Sequence, residues 1–493
     1  MRNVVFECHS YHPLFRYVVN FLIIISFSIQ NMFYDFYKKM KIFICLRNEK
    51  TLLKKFTNSR NFPQQLSIMK SNFLKKLRGV KKMKRTHPAI AIFLFFLGWV
   101  FMYADRNILS PVMGEIGEQW NLNNSQLGLM STVFFIAYLI MQIPTGFLAD
   151  RFERVKVLVI GYILFGITTF LSGLASSFAL FLLMRALTGI GEGTYYGSQY
   201  GISSNITPKK YRGIVSAVIN SGMAFGISLG FIAASYFTYT LNKGWQFSFY
   251  LFAIPTIIVA ILIGICVRDQ SSHEKKQEVP HMKDSQNLKR LFTKNHLFVY
   301  ILIFCSLYGF FGMLTWLPYY LQTVKGVEGS QTGIISSLVP WASIPGAIFF
   351  GYVSDKVKNK KPLIIFLAFA GAVCQFVIPY AENYSLLLAG LVFYGLLGKL
   401  ALDPVLISYM AEITPSSMYS KVYGFFNFSG MLSSIFAPYI TGYFADITGK
   451  LEIGFYLSGV LLIIGAVLFL FTEGSNRMTY FVQYYKPGEE QVK

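Results

Sequence analysis

The hexapeptide "GFLADR", residues 146–151, returns at residues 351–356 as "GYVSDK", a shift of 205 positions. A second marker, "ITP" at residues 206–208, returns at residues 413–415 with a shift of 207. Two independent markers with nearly the same period indicate an internal duplication. The chain is therefore expected to contain two halves of similar structure in the same orientation.

The composition is that of a membrane protein. Of the 493 residues, 54% are hydrophobic and only 14% are charged, and the mean hydropathy is +0.47. Soluble domains carry about 25% charged residues. The composition therefore predicts that most of the chain lies in a lipid bilayer.

Apolar stretches long enough to cross the hydrocarbon core, ~20 residues each, recur along the chain. Twelve are predicted, near residues 88–112, 125–148, 155–176, 178–205, 213–238, 247–268, 296–322, 331–353, 362–381, 385–411, 421–445 and 451–472. The predicted fold is an all-α membrane protein with twelve transmembrane helices in two parallel six-helix bundles. The bundles comprise residues 86–268 and 296–475, with a cytoplasmic linker at 269–295 and a tail at 476–493.

Basic residues are distributed unevenly between the connections. The connections after even-numbered spans contain 18 Lys and Arg when Lys156, Arg268 and Lys421 at the adjoining span ends are included, whereas those after odd-numbered spans contain only Lys243, Lys325 and Lys450. Cytoplasmic loops are enriched in Lys and Arg, so both termini are predicted to be cytoplasmic in a cell-membrane protein. The net charge of +22 does not indicate nucleic acid, because the excess lies in the first 85 residues and in these short loops.

Residues 1–85 form a basic extension that is low in Gly and Ala. We hypothesise that this region is translated upstream sequence and that the functional chain begins at Met69 or Met83. The alternative is a genuine thirteenth helix around residues 17–33.

Residues 86–475 resemble the major facilitator superfamily. "GFLADRFERVK", residues 146–156, matches the loop motif of that superfamily, although Glu153 stands where the second glycine is usual. The resemblance implies that the motif controls gating, with close helix packing at its first glycine; the alternative is that its charges only anchor the topology. The motif residues are Gly146, Asp150, Arg151 and Arg154, with Asp355 in the second copy.

Four stretches are similar to the anion:cation symporters, which carry hexuronates, aldonates and other organic acids. They are "YADRN" at 103–107, "FFIAYLIMQIPTGFLADR" at 134–151, "MRALTGIGEG" at 184–193 and "TWLPYYL" at 315–321. The resemblance implies that Arg106 holds the substrate carboxylate between Tyr103 and Tyr138. It also assigns proton coupling to Asp105 and Glu192.

The fourth span shows why these residue types suit that chemistry. Arg185, Thr188 and Glu192 share one helical face, while Gly189, Gly193 and Gly197 form another stripe that a neighbouring backbone can approach. An arginine fork suits a carboxylate, and charged groups inside a membrane are rarely present without a function. Arg185 is expected to contact Glu192 and to contribute to the substrate site. The alternative is a neutral buried network that only fixes helix packing.

The second half offers fewer candidates. Lys399 and Asp403 lie one helical turn apart, so they either neutralise each other or present Lys399 as a second cation for a doubly charged substrate or for Glu192. Tyr308 and Asn427 are further candidates for substrate contact in spans 7 and 11.

No catalytic constellation, metal-ligand spacing or nucleotide-binding loop is present, so an enzyme is not expected. The sequence predicts a monomeric secondary transporter that imports a small organic anion, a hexuronate or aldonate, by proton symport with no cofactor besides protons. The alternatives are an anion or organophosphate exchanger without proton coupling, and a transporter-like sensor.

Overall fold

The computed structural model describes residues 88–268, 291–414 and 418–472. The predicted extension (1–85), most of the predicted linker (269–290) and the predicted tail (476–493) lie outside the described residues. The domain boundaries therefore stay predictions.

The described residues form fifteen α-helices joined by short connections. In the first half they are α1 (Pro88–Ile108), α2 (Met113–Trp120), α3 (Asn124–Phe152), α4 (Arg154–Gly173), α5 (Phe178–Gly193), α6 (Tyr195–Ile206), α7 (Arg212–Ser235) and α8 (Gln246–Cys266). In the second half they are α9 (Lys294–Thr323), α10 (Gly329–Lys356), α11 (Lys361–Tyr380), α12 (Tyr384–Leu397), α13 (Lys399–Ile413), α14 (Tyr419–Thr448) and α15 (Glu452–Leu470).

All twelve predicted spans coincide with helical segments. Within the described ranges, ten segments are both long and apolar enough to cross a membrane. The two that fall short are the fourth span, which α5 begins with only 16 residues, and the eleventh span in α14. Each contains charged residues, Arg185 and Glu192 in α5 and Lys421 and Asp446 in α14. The chain is an all-α, multi-pass membrane protein.

The fourth and tenth spans are each predicted as one helix, but each is divided. Thr194 separates α5 from α6, and Gly398 separates α12 from α13 with ψ −150°. A Cβ at Gly398 would overlap the carbonyl oxygen of Tyr394, so only glycine allows this break. Paired interruptions at corresponding positions of two repeats are typical of transporter binding sites.

The two halves contact each other at the predicted outer end, where the connections after odd-numbered spans lie. α3 packs on α14 through Gly128 and Gly442, where an added Cβ would overlap the carbonyl oxygens of Pro438 and Asn124. α7 meets α10 in the same way at Gly333. Because these glycines have no side chain, the helices of opposite halves can pack closely enough to close this end.

Candidate transport site

Four charged side chains meet inside the first half in two crossed pairs. Arg106 on α1 forms an ion pair with Glu192 on α5. Arg185 on α5 donates from Nη1 to Oδ2 of Asp105 at 3.3 Å. The side chains of Asp105 and Glu192 are 0% exposed, those of Arg185 and Arg106 only 1% and 5%.

This pairing differs from the expected contact between Arg185 and Glu192. Seven residues along a helix span about 10 Å, so one side chain of α5 does not reach the other. α1 supplies the nearer partner for each. The long side chain of Arg106 extends toward the start of α1 and so meets Glu192, which leaves Asp105 for Arg185.

Glycines hold the helices close enough for these contacts. A Cβ at Gly226 or Gly230 of α7 would overlap the carbonyl oxygens of Val100 or Ala104 on α1. Gly189 and Gly193 of α5 pack in the same manner against α3. The expected role of Gly197 in such packing is wrong, since an added Cβ there would meet nothing within 4 Å.

Aromatic rings surround the guanidinium of Arg106. Its central carbon lies 4.8 Å from the ring centroid of Tyr103 and 4.7 Å from that of Tyr138, with Phe134 and Phe135 each at 5.6 Å. Cation–π contacts of this kind stabilise a desolvated cation by ~2 kcal/mol. Four rings thus lie close to the guanidinium, and the carboxylate that neutralises it is that of Glu192, whose place another carboxylate can take.

Both arginines line one small cavity. Its walls come from α1, α3, α5, α9 and the turn after α1, and the lining residues are Tyr103, Arg106, Asn107, Ser110, Ser131, Phe134, Phe135, Arg185, Phe311, Leu314 and Thr315. The hydroxyl of Ser110 donates to the carbonyl oxygen of Leu314 at 2.8 Å and so joins the two halves beside the cavity.

Four polar residues of this lining, Asn107, Ser110, Ser131 and Thr315, were not among the residues expected at the site. A usable signal was present on α1 and in the turn after it, because Tyr103, Asn107 and Ser110 follow one another at helical spacing beside Arg106. Ser131 and Thr315 had no comparable signal, since only the packing of α3 and α9 brings them to the cavity.

In the second half, Lys399 forms an ion pair with Asp403 at 2.6 Å within α13. Its ammonium also lies 5.0 Å from the ring centroid of Phe310. Glu192 is paired with Arg106, so Lys399 does not take that contact. Tyr308 is buried in α9 and Asn427 is half-buried in α14; neither belongs to the cavity lining given above.

The loop-motif residues lie where α3 and α10 end and α4 begins. Arg151 and Asp355 are exposed, Arg154 packs beside Gly201, and the side chain of Asp150 lies outside the described residues. The close packing expected at Gly146 is not present, because an added Cβ would meet nothing within 4 Å. The roles of the motif residues in gating stay predictions.

Glu153 stands where the loop motif usually has its second glycine, and it adopts a backbone conformation that favours glycine. Its φ is +76°, which is rare for residues with a side chain. The carboxylate lies 3.1 Å from the ammonium of Lys156.

The chemistry available to this site is the reversible exchange of ionic partners. Each arginine is permanently charged, and each carboxylate becomes neutral when it binds a proton. Among the described residues, no group of three or more His, Cys, Asp or Glu side chains is placed to hold a metal ion.

Comparisons with known proteins identify the family of the chain. The sequence profile of the Major Facilitator Superfamily matches residues 95–398 and 326–479. The probable sulfoacetate transporter SauU of Cupriavidus necator is 26% identical over 428 residues, covering 79% of this chain and 94% of that one. The probable galactarate/D-glucarate transporter GudP and the hexuronate transporter of Bacillus subtilis are each 26% identical, covering 76% and 77% of this chain and 88% and 92% of theirs.

Solved structures share the fold at low sequence identity. An inward-facing, unoccupied bacterial homologue of the human lysosomal transporter Spinster aligns with a TM-score of 0.67 at 18% identity, covering 83% of this chain and 100% of that one. A D-xylose–proton symporter aligns with a TM-score of 0.66 at 17% identity over 78% and 98%. The expected family and fold are confirmed: the chain belongs to the Major Facilitator Superfamily and is a membrane transporter, not an enzyme.

Proposed function

We propose that this protein imports a small organic acid anion together with protons. The proposed substrates are sugar acids, and hexuronates and aldonates are the members that the sequence resemblance favours. Relatives named as hexuronate, galactarate/D-glucarate and sulfoacetate transporters support an organic acid as cargo.

The observation that carries this proposal is the ion pair of Arg106 with Glu192 inside an aromatic enclosure. A substrate carboxylate and the Glu192 carboxylate require the same edge of the same guanidinium. Removing the negative charge of Glu192 by protonation therefore makes Arg106 available to the substrate. This competition couples proton binding to substrate binding.

The proposed cycle begins with the site open to the outside. Protons bind Asp105 and Glu192, and the substrate carboxylate then pairs with Arg106. The halves rock, so that the contacts at the predicted outer end close behind the substrate. Loss of the protons inside returns Glu192 to Arg106, and the substrate is released.

The proposal also covers the orientation of the chain in the membrane and its oligomeric state. The distribution of Lys and Arg supports cytoplasmic termini in a cell membrane. We propose a monomer, because one chain contains both halves and the whole cavity.

Exchange of one anion for another without protons is the competing function. The two arginines in one cavity are what an exchanger would also use. The two functions differ in Glu192, which symport requires to change charge and exchange does not.

The test is uptake by purified protein in liposomes that contain a pH-sensitive dye. The panel comprises hexuronates, aldonates, aldarates, sialic acid and sugar phosphates, each supplied with an inward proton gradient. We expect one sugar acid to accumulate and to acidify the lumen. The dye reports symport whatever net charge the cycle moves.

Glu192→Gln should abolish gradient-driven accumulation and retain counterflow of preloaded substrate. Glu382→Gln, at an exposed position in the connection before α12, serves as the matched control and should transport normally. Full gradient-driven accumulation by Glu192→Gln would contradict the assignment. Counterflow of sugar phosphates without luminal acidification would establish exchange instead.

A further inference from the structure

We propose that the preferred substrate is a dianion, a sugar acid with a carboxylate at each end, and that Arg185 binds its second carboxylate. This inference rests on the proposed function and narrows its substrate class. It differs from the hexuronates and aldonates named above, which carry one carboxylate each.

Two guanidinium groups line the same cavity. Their central carbons lie 5.6 and 4.8 Å from the ring centroid of Phe134, so at most 10.4 Å separates Arg106 from Arg185. One short molecule can therefore reach both. The same lining includes the polar side chains of Asn107, Ser110, Ser131 and Thr315, which suit the hydroxyl groups of a sugar chain.

Arg185 has unused capacity to bind an anion. Its side chain is 1% exposed, and Nη1 donates to Asp105. No described residue accepts a hydrogen bond from its Nε. A buried polar group without a partner is costly, so a ligand that supplies an acceptor in the cavity binds favourably.

The balance of charge among the four buried ionic side chains also favours a dianion. Asp105, Glu192, Arg106 and Arg185 sum to zero when both carboxyl groups are ionised. Each proton bound by a carboxyl group releases one arginine, because each arginine is paired with one of them. The doubly protonated site therefore contains two unpaired buried cations, which are unfavourable in a low-dielectric interior. A dianion restores neutrality, whereas a monoanion leaves one cation unpaired.

Lys399 is not the second cation in this arrangement. Its ammonium is paired with Asp403 within α13, and the ring of Phe310 lies beside it. The cavity lining includes Arg185 and not Lys399.

Galactarate and galactonate form a matched pair of probes, because they differ only in whether the terminal carbon is a carboxylate or an alcohol. Isothermal titration of purified protein at acid pH measures both affinities. We expect galactarate to bind roughly tenfold more tightly or better, the difference that one charge-assisted hydrogen-bonded contact provides. Equal affinities, or tighter binding of galactonate, would overturn the inference.

The variant that tests Arg185 is the double substitution Arg185→Gln with Asp105→Asn, which removes both charges and leaves no unpaired buried ion. The ratio of its affinity for galactarate to its affinity for galactonate should fall to about one, while galactonate still binds. A preference that persists would assign the second carboxylate to another group. Arg185→Lys is the second variant, and it should retain part of the preference because it keeps the charge without the planar fork.

The outcomes separate this inference from the proposed function. If galactonate binds as well as galactarate and still enters with protons, the proposed function stands and the dianion is rejected. If neither acid binds but a hexuronate enters with protons, the dianion is rejected and the proposed function stands. If no sugar acid of the panel enters with protons, both proposals fail.

Discussion

Asp446, near the end of α14, accepts hydrogen bonds from the first residues of α3 in the other half. The backbone N–H groups of Ser125 and Asn124 each donate to it at 2.8 Å, and the Asn124 side chain donates at 3.0 Å. The hydroxyl of Ser125 is a further donor. The carboxylate thus stabilises the start of a helix that belongs to the opposite half, and it joins the two halves at the predicted outer end.

Replacing Asp446 should therefore favour opening of that end. These bonds are exposed to solvent, so we expect Asp446→Ala to shift the equilibrium by about 1 kcal/mol, roughly fivefold. The measurement is the rate at which an impermeant thiol reagent, added from outside, labels a cysteine introduced at Ser131 in the cavity. Asp446→Asn keeps one acceptor oxygen and should give a smaller increase. An unchanged labelling rate in Asp446→Ala would show that the contact does not hold the outer end closed.

Removal of Arg106 should eliminate binding and also destabilise the fold. Arg106→Ala leaves the carboxylate of Glu192 buried without its partner, and breaking a buried pair in this way costs about 3–5 kcal/mol. We expect a clear loss of thermal stability and no measurable binding of any sugar acid.

The double variant Arg106→Ala with Glu192→Gln separates these effects. Its thermal stability should recover, since no unpaired charge remains, while binding stays absent. Unchanged affinity in the double variant would move the carboxylate site away from Arg106.

The pair of Lys399 and Asp403 should be neutral for transport. Lys399→Met with Asp403→Asn removes both charges of a pair that is closed within one helix, so substrate affinity should change less than twofold. Lys399→Met alone leaves Asp403 unpaired and should lower stability. A large loss of affinity in the double variant would show that Lys399 contacts the substrate.

Glu153→Gly should stabilise the protein. The backbone at Glu153 has a φ of +76°, and such conformations cost residues with a Cβ on the order of 1 kcal/mol. We expect a higher melting temperature with unchanged transport. Glu153→Ala removes the contact with Lys156 but keeps the Cβ, so it should show no such gain. A lower melting temperature for Glu153→Gly would mean that the ion pair outweighs the backbone strain.

The sequence by itself determined the twelve apolar spans, the duplication and the burial of charged residues in the first half. These features follow from local properties, since hydropathy and helical period depend only on neighbours along the chain. For the same reason, the charges at Asp105, Arg106, Arg185 and Glu192 could be assigned to helices, and to faces of those helices, from the order of residues alone.

Only the tertiary structure decided which charges meet. The helical face of α5 suggested that Arg185 contacts Glu192, but Arg106 reaches Glu192 from α1 and Arg185 pairs with Asp105. The same is true of Asp446 and Ser125, which lie 321 positions apart in sequence. A pair between helices depends on how closely and at what height the helices pack, and glycines such as Gly226 and Gly189 set that distance only once their neighbours are in place.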